Sequence, residues 1–209
     1  MVKNENLTLF QIDVLREISN IGAGNAATAL SKMLNKRINM DVPKAGVMLF
    51  SEIFNIIGSE EEIVACVNFE IKGEAASRIL FILTEESSFA LIDLLFGKKI
   101  GTTKELDGIG QSTLQEVGNI LCGSFLTAIS EVTNLTFTPS VPAFAFDMLG
   151  AVLSAAFIEG GYFDEKALIM ETQFFQEEIK INGHFFMVPE PSYLNIIFKS
   201  LGLQFEGGI

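Results

Sequence analysis

Tryptophan is absent from this 209-residue sequence, histidine occurs once, cysteine twice and proline five times. Each scarcity narrows the chemistry. A single histidine, His184, leaves no histidine-based metal set, so no metal site is expected; without a Gly-x-Ser-x-Gly turn it also supports no serine triad. His184 directly follows Asn182-Gly183 and reads as a surface residue beside a turn. The cysteines, Cys66 and Cys122, lie far apart without flanking metal ligands and read as reduced core residues of a cytoplasmic protein. Basic residues are also few: 14 against 26 acidic, for a net charge of −12. The densest basic groups are the pairs Lys36-Arg37 and Lys98-Lys99, too small a patch to overcome repulsion from a phosphate backbone. Nucleic acid is therefore not an expected partner, nor is an anionic membrane surface. A protein partner with exposed lysines suits this charge better. The opening MVKNENLTLF has no apolar run of signal-peptide type. The longest apolar stretch, Met148 to Ile158, is too short to span a bilayer and reads as a buried strand.

What the chain does have is apolar bulk and an internal echo. Apolar residues make up 49%, and nineteen phenylalanines must supply much of the core. With so little proline, this composition argues for a packed globular fold rather than disorder. Sliding the sequence by 99 residues places Glu17, Asn20 and Ile21 on Glu116, Asn119 and Ile120. The match runs on without a gap through Gly24/Gly123, Thr28/Thr127, Ser31/Ser130 and Asn35/Asn134 to Pro43/Pro142. Ten of the 27 positions from 17 to 43 are identical, far above chance, which predicts a duplication.

The elements follow from periodicity. Helices are predicted to start near residue 9 after Thr8, with Gln11 completing a capping box, and near residue 108 after Asp107. Val14, Ile18 and Ile21 are taken as the apolar face of the first, and Thr113, Val117 and Ile120 as its echo. Strands are expected near 45–52, 63–71 and 76–84, then near 144–158, 166–181 and 184–188, with Asn182-Gly183 as a hairpin turn. Each half closes with a helix, Glu85 to Phe96 before Gly97 and Glu190 to Leu201 before Gly202. The expected fold class is α+β, a pseudo-two-fold duplication in one domain (repeats about 8–97 and 107–202). Each repeat would be helix, three antiparallel strands, helix, with the two long helices packed on sheet.

Along the first long helix Asp13, Glu17, Asn20 and Gly24 recur at spacings that place them on one stripe; the second has Ser112, Glu116, Asn119 and Gly123. Asn is a poor helix-interior residue and Gly costs roughly 1 kcal/mol against Ala. Seventeen of the 27 aligned positions differ between the copies while the Glu, Asn and Gly of the stripe remain, which points to a use for them. Gly22-Ala-Gly24 superficially matches a dinucleotide fingerprint, but it falls inside a helix with no strand before it, so close helix packing is the better reading.

The pattern Asp/Ser-x3-Glu-x2-Asn-x22-Pro, present twice, resembles the signature of the CheC, CheX and FliY family of response-regulator phosphatases. The resemblance covers essentially the whole chain, and two intact motifs resemble the CheC type. It implies an enzyme that hydrolyses the aspartyl phosphate of a CheY-like response regulator in bacterial or archaeal chemotaxis. By resemblance, Asn20 and Asn119 would orient the attacking water and Glu17 and Glu116 would dock the partner's active-site lysine. Asp13 and Ser112 would touch the partner or support the helix, and Pro43 and Pro142 would start strands. No cofactor would be bound by this chain, the Mg²⁺ being the partner's, and CheD would be a second partner. A competing expectation is a non-catalytic adaptor that binds the regulator or CheD.

Overall fold

The computed structural model describes residues 8–35, 37–49, 52–157, 166–176, 179–189 and 193–202. Among the described residues thirteen elements follow one another: α1 (Leu9–Leu34), β1 (Asn39–Leu49), α2 (Phe54–Ile57), β2 (Ile63–Gly73), β3 (Ser77–Thr84), α3 (Glu85–Phe96), α4 (Gly108–Thr133), β4 (Phe137–Pro139), β5 (Ala143–Met148), α5 (Leu149–Phe157), β6 (Lys166–Gln176), β7 (Ile179–Pro189) and α6 (Tyr193–Ser200). The class is α+β, as expected.

Seven strands form one antiparallel sheet in the order β1-β6-β7-β3-β2-β4, with β5 also on β2. Read inward from either edge the order is alike, if β1 is set against β4 and β5, β6 against β2, and β7 against β3. The central strands are buried on both faces. On one face Val67, Phe69, Phe81, Phe185 and Met187 meet the side chains of α1, α3, α4 and α6. On the other, Cys66, Leu80, Ile82, Phe186 and Val188 are covered by α2 and α5. Both cysteines are buried and reduced, and burial pushes their thiols up to about 12.

Caps start the long helices where the sequence placed them. Thr8 accepts from the Gln11 amide while the Gln11 side chain accepts from the Thr8 amide, the reciprocal box. Asp107 accepts from the Gly110 amide at 2.7 Å. At the other ends Asn35 and Asn134 take the left-handed conformation, φ 50° and 57°, that terminates a helix. Gly97 does the same for α3 at φ 66°. The last predicted helix runs from Tyr193, its expected first residues 190–192 lying outside the described residues. The buried Asp93 carboxylate on α3 accepts from the Thr102 amide and from the amide and hydroxyl of Thr103. It thereby ties the segment between α3 and α4 to the core.

Several expectations are corrected. Residues 149–157 are helix, not strand: Leu149, Val152, Leu153 and Ala156 are buried at helical spacing, and the continuous apolar run concealed that period. Asn182-Gly183 is not a turn. It lies inside β7, opposite Gln173 and Thr172. A Cβ on Gly183 would come within 2.8 Å of the Phe81 ring, so this glycine serves close packing between strands. His184 is consequently a half-buried strand residue, not a surface one, with an unpartnered buried Nδ1. Burial holds its imidazole below the usual 6.5, opposing the pull of Glu171. Pro43 does not begin a strand but sits within β1, where the register against β6 shifts between Asp41 and Lys44. Finally, α2 and α5 interrupt the expected run of three strands in each half.

Candidate active site

The buried side of α1 is Leu15, Ile18, Ser19, Gly22, Ala23, Ala26 and Leu30. The apolar face expected from sequence is thus shifted: Ile18 belongs to it, Val14 lies at its margin, and Ile21 is exposed to solvent. In α4 the buried side holds Leu114, Val117, Gly118, Leu121, Cys122 and Phe125. Small residues let the two helices and the sheet approach one another. A Cβ on Gly22 would sit 3.1 Å from the Phe125 Cα, so the first glycine of the set-aside fingerprint does serve helix packing. A Cβ on Gly118 would sit 2.9 Å from Val67 on β2. At the matching place in α1 stands Ser19, buried, its hydroxyl turned back to the Leu15 carbonyl at 2.6 Å.

The opposite side carries the polar stripe. Asp13, Glu17, Asn20 and Gly24 are all exposed on one face of α1. On α4 Ser112, Glu116 and Asn119 are exposed and Gly123 is half-buried. The side chains of Glu17, Asn20, Glu116 and Asn119 make no hydrogen bond or ion pair with another described residue. Their polar atoms face water and are free for an incoming surface. Asp13 lies 3.8 Å from Arg16, one turn along the helix, a contact of little energetic weight between exposed groups. Ser112 donates to the Gly108 carbonyl at 2.9 Å, which gives it a partner within its own helix.

The two glycines of the stripe differ from those beneath it. Apart from the adjoining backbone of their own helices, neither Gly24 nor Gly123 has an atom within 4 Å of where a Cβ would stand. Packing within the chain does not require them. Each is followed one turn on by a threonine whose hydroxyl bonds back to its carbonyl: Thr28 to Gly24 at 2.9 Å and Thr127 to Gly123 at 2.8 Å. The result is a bare stretch of helix surface beside each Glu-x-x-Asn pair, with both polar groups pointing outward.

Chemically, such a site offers a carboxylate for a cation and a neutral carboxamide that both donates and accepts hydrogen bonds. Among the described residues no group of three or more His, Cys, Asp or Glu could hold a metal ion. No helix among them is long and apolar enough to cross a membrane.

The chain is similar to known proteins in sequence and in fold. The family description "CheC-like family" matches at residues 10–47 and again at 109–145, spans that contain the two stripes. The chain is 36% identical over 198 residues to the CheY-P phosphatase CheC of Bacillus subtilis (strain 168), covering 92% of this chain and 94% of that protein. It is 32% identical over 140 residues to the flagellar motor switch phosphatase FliY of the same organism, covering 66% of this chain but 36% of that longer protein. Among solved structures, Thermotoga maritima FliY superposes with a TM-score of 0.74 at 23% identity, covering 94% of this chain and 98% of that one. At that identity the likeness concerns the fold.

Proposed function

The chain belongs to the CheC-like family, and from that premise we propose that it is a protein phosphatase hydrolysing the aspartyl phosphate of a CheY-like response regulator in bacterial or archaeal chemotaxis. The observation that carries the reading is the pair of exposed, unengaged Glu-x-x-Asn sites at the same place on two long helices. Duplication of one ancestral unit is part of the reading. The 99-residue offset and the sheet order that reads alike from both edges support it.

The chemistry asks little of the protein. In-line attack of water on phosphorus breaks the bond to the aspartyl oxygen, releasing phosphate and regenerating the regulator's carboxylate. A carboxylate with an unperturbed pKa near 3.9 leaves readily without a general acid. What remains is positioning and charge stabilisation. Asn20 and Asn119 orient the water, accepting a hydrogen bond while remaining neutral; a carboxylate there would repel the phosphoryl oxygens. Glu17 and Glu116 pair with the regulator's active-site lysine. The bare backbone at Gly24 and Gly123 lets the partner's surface approach the helix. Mg²⁺ belongs to the regulator, where it neutralises the phosphoryl group. A cytoplasmic setting and CheD as a second partner complete the proposal.

The test is decay of a phosphorylated CheY-type regulator in Mg²⁺ with wild type, Asn20→Ala, Asn119→Ala and the double variant. Removing one well-placed polar group costs about 10²-fold at a given site. Each single variant is expected to keep the other site's share of the activity, and the double to approach the spontaneous rate. Full activity in a folded double variant would sink the assigned role of the asparagines.

A further inference from the structure

Phe10 and Ile109 are 67% and 66% exposed, and they occupy the second position of α1 and α4 respectively, 99 residues apart. The side chains differ in kind and share only bulk and apolarity. Capping does not explain them, since the hydrophobic staple joins the residue before the cap to the fourth helical position. Their azimuth is informative. At about 100° per residue, Phe10 lies within about 20° of both Glu17 and Ile21 around the helix axis. Of these three only Glu17 adjoins Asn20, which is turned about 60° from it and about 80° from Phe10, and Ile21 is itself 39% exposed. An apolar knob thus stands near each end of the Glu-Asn segment of α1, spaced about 16 Å along the axis. In α4, Ile109 and the half-buried Ile120 hold the same places around Glu116 and Asn119.

We propose that Phe10 and Ile109 are the apolar anchors on which each site seats the response-regulator domain, so that docking joins an apolar contact to the adjoining glutamate. The inference rests on the phosphatase reading for the identity of the partner. The physical logic is that of an interface hot spot: a bulky side chain filling a pocket supplies affinity, and the nearby charge supplies register and partner choice. Phe10 and Ile109 offer different shapes at the same place, so the two sites need not prefer a regulator equally.

A second matched pair provides the control. Met33 and Val132 are also 99 apart and 45% and 46% exposed, but they lie near the C-terminal ends of the same helices. Met33 is turned roughly half a revolution from the Glu17–Asn20 stripe. The experiment measures binding to a CheY-type regulator held in its phosphorylated form by beryllofluoride, together with kcat and KM for dephosphorylation. Phe10→Gln with Ile109→Gln is expected to raise Kd and KM about tenfold, with the loss falling on KM rather than kcat. Phe10→Leu should retain binding, and Met33→Gln with Val132→Gln should leave it as in wild type. A Kd for the anchor variant within twofold of wild type overturns the inference and leaves the phosphatase reading standing. Binding without turnover by wild type would sink the phosphatase reading while Kd still decides the anchors; absence of binding by wild type would remove both. A wild-type dimer that Phe10→Gln with Ile109→Gln separates into monomers, seen by sedimentation, would assign the knobs to a second copy and overturn the proposal.

Discussion

A methyl group added at Gly24 or Gly123 meets nothing within 4 Å beyond the adjoining backbone of its own helix, whereas one added at Gly118 meets the Val67 side chain at 2.9 Å. All three glycines lie inside long helices, so each costs the same in backbone freedom, and only the surroundings distinguish them. Alanine at Gly24 or Gly123 should stabilise the fold by about 0.5–1 kcal/mol through the gain in helix propensity. The same change should lower activity towards the regulator, because the partner loses its approach to the backbone. Alanine at Gly118 should instead cost about 1–3 kcal/mol by forcing α4 off β2. Denaturant unfolding beside a dephosphorylation assay reads both quantities. Loss of stability in Gly24→Ala, or unchanged activity in a stabilised Gly24→Ala with Gly123→Ala, would contradict this division of roles. The stripe itself was legible in sequence because Glu, Asn and Gly recur at fixed places in two copies. Phe10 and Ile109 carry no such signal, because they differ in identity and lie before the stretch of dense identity.

At the scale of elements, α3 and the segment leading to α4 depend on Asp93. Burial alone would raise its carboxyl, but hydrogen bonds from Thr103, Thr102 and Gly101 outweigh that and hold it below the ordinary 3.8. A depressed folded-state value means the ionised carboxylate stabilises the fold above about pH 4, and this share is lost as pH falls further. Asp93→Asn turns an amide donor towards donor groups and should cost about 2 kcal/mol at pH 7, lowering Tm by about 6 °C. The gap between wild type and variant should narrow below pH 4. A gap that stays constant from pH 7 to pH 3 would contradict an ionised Asp93 as the source. The sequence marked helix starts and the end of α3 well because caps are local chemistry: Thr8, Asp107 and Gly97 act within one turn of themselves. It misled at residues 149–157 and at Asn182-Gly183 because those outcomes are set by distant partners. Leu149 to Ala156 is helical against the far face of the sheet, and Gly183 admits the Phe81 ring from another strand. His184 follows Gly183 along the same strand and is half-buried, opposite Glu171.

Across the whole molecule, the fold presents two polar stripes on the outward sides of the paired helices α1 and α4, while the sheet and the remaining helices hold those helices in place. Strand order came from long-range pairing that no local pattern announces, whereas the helical echo that positions the site was plain in the sequence. A net charge of −12 makes the molecule a poor match for polyanions and a fit for a lysine-bearing partner. The central claim is that such a partner is turned over and not merely held. The most direct measurement is the decay of a phosphorylated CheY-type regulator in Mg²⁺ with this protein present at about one-hundredth of the regulator concentration. Catalysis predicts that every regulator molecule loses its phosphate faster than in buffer alone, with many turnovers per chain. Acceleration that appears only at stoichiometric amounts, or a regulator whose phosphate outlives the buffer control, would contradict the account and make the paired stripes a docking surface alone.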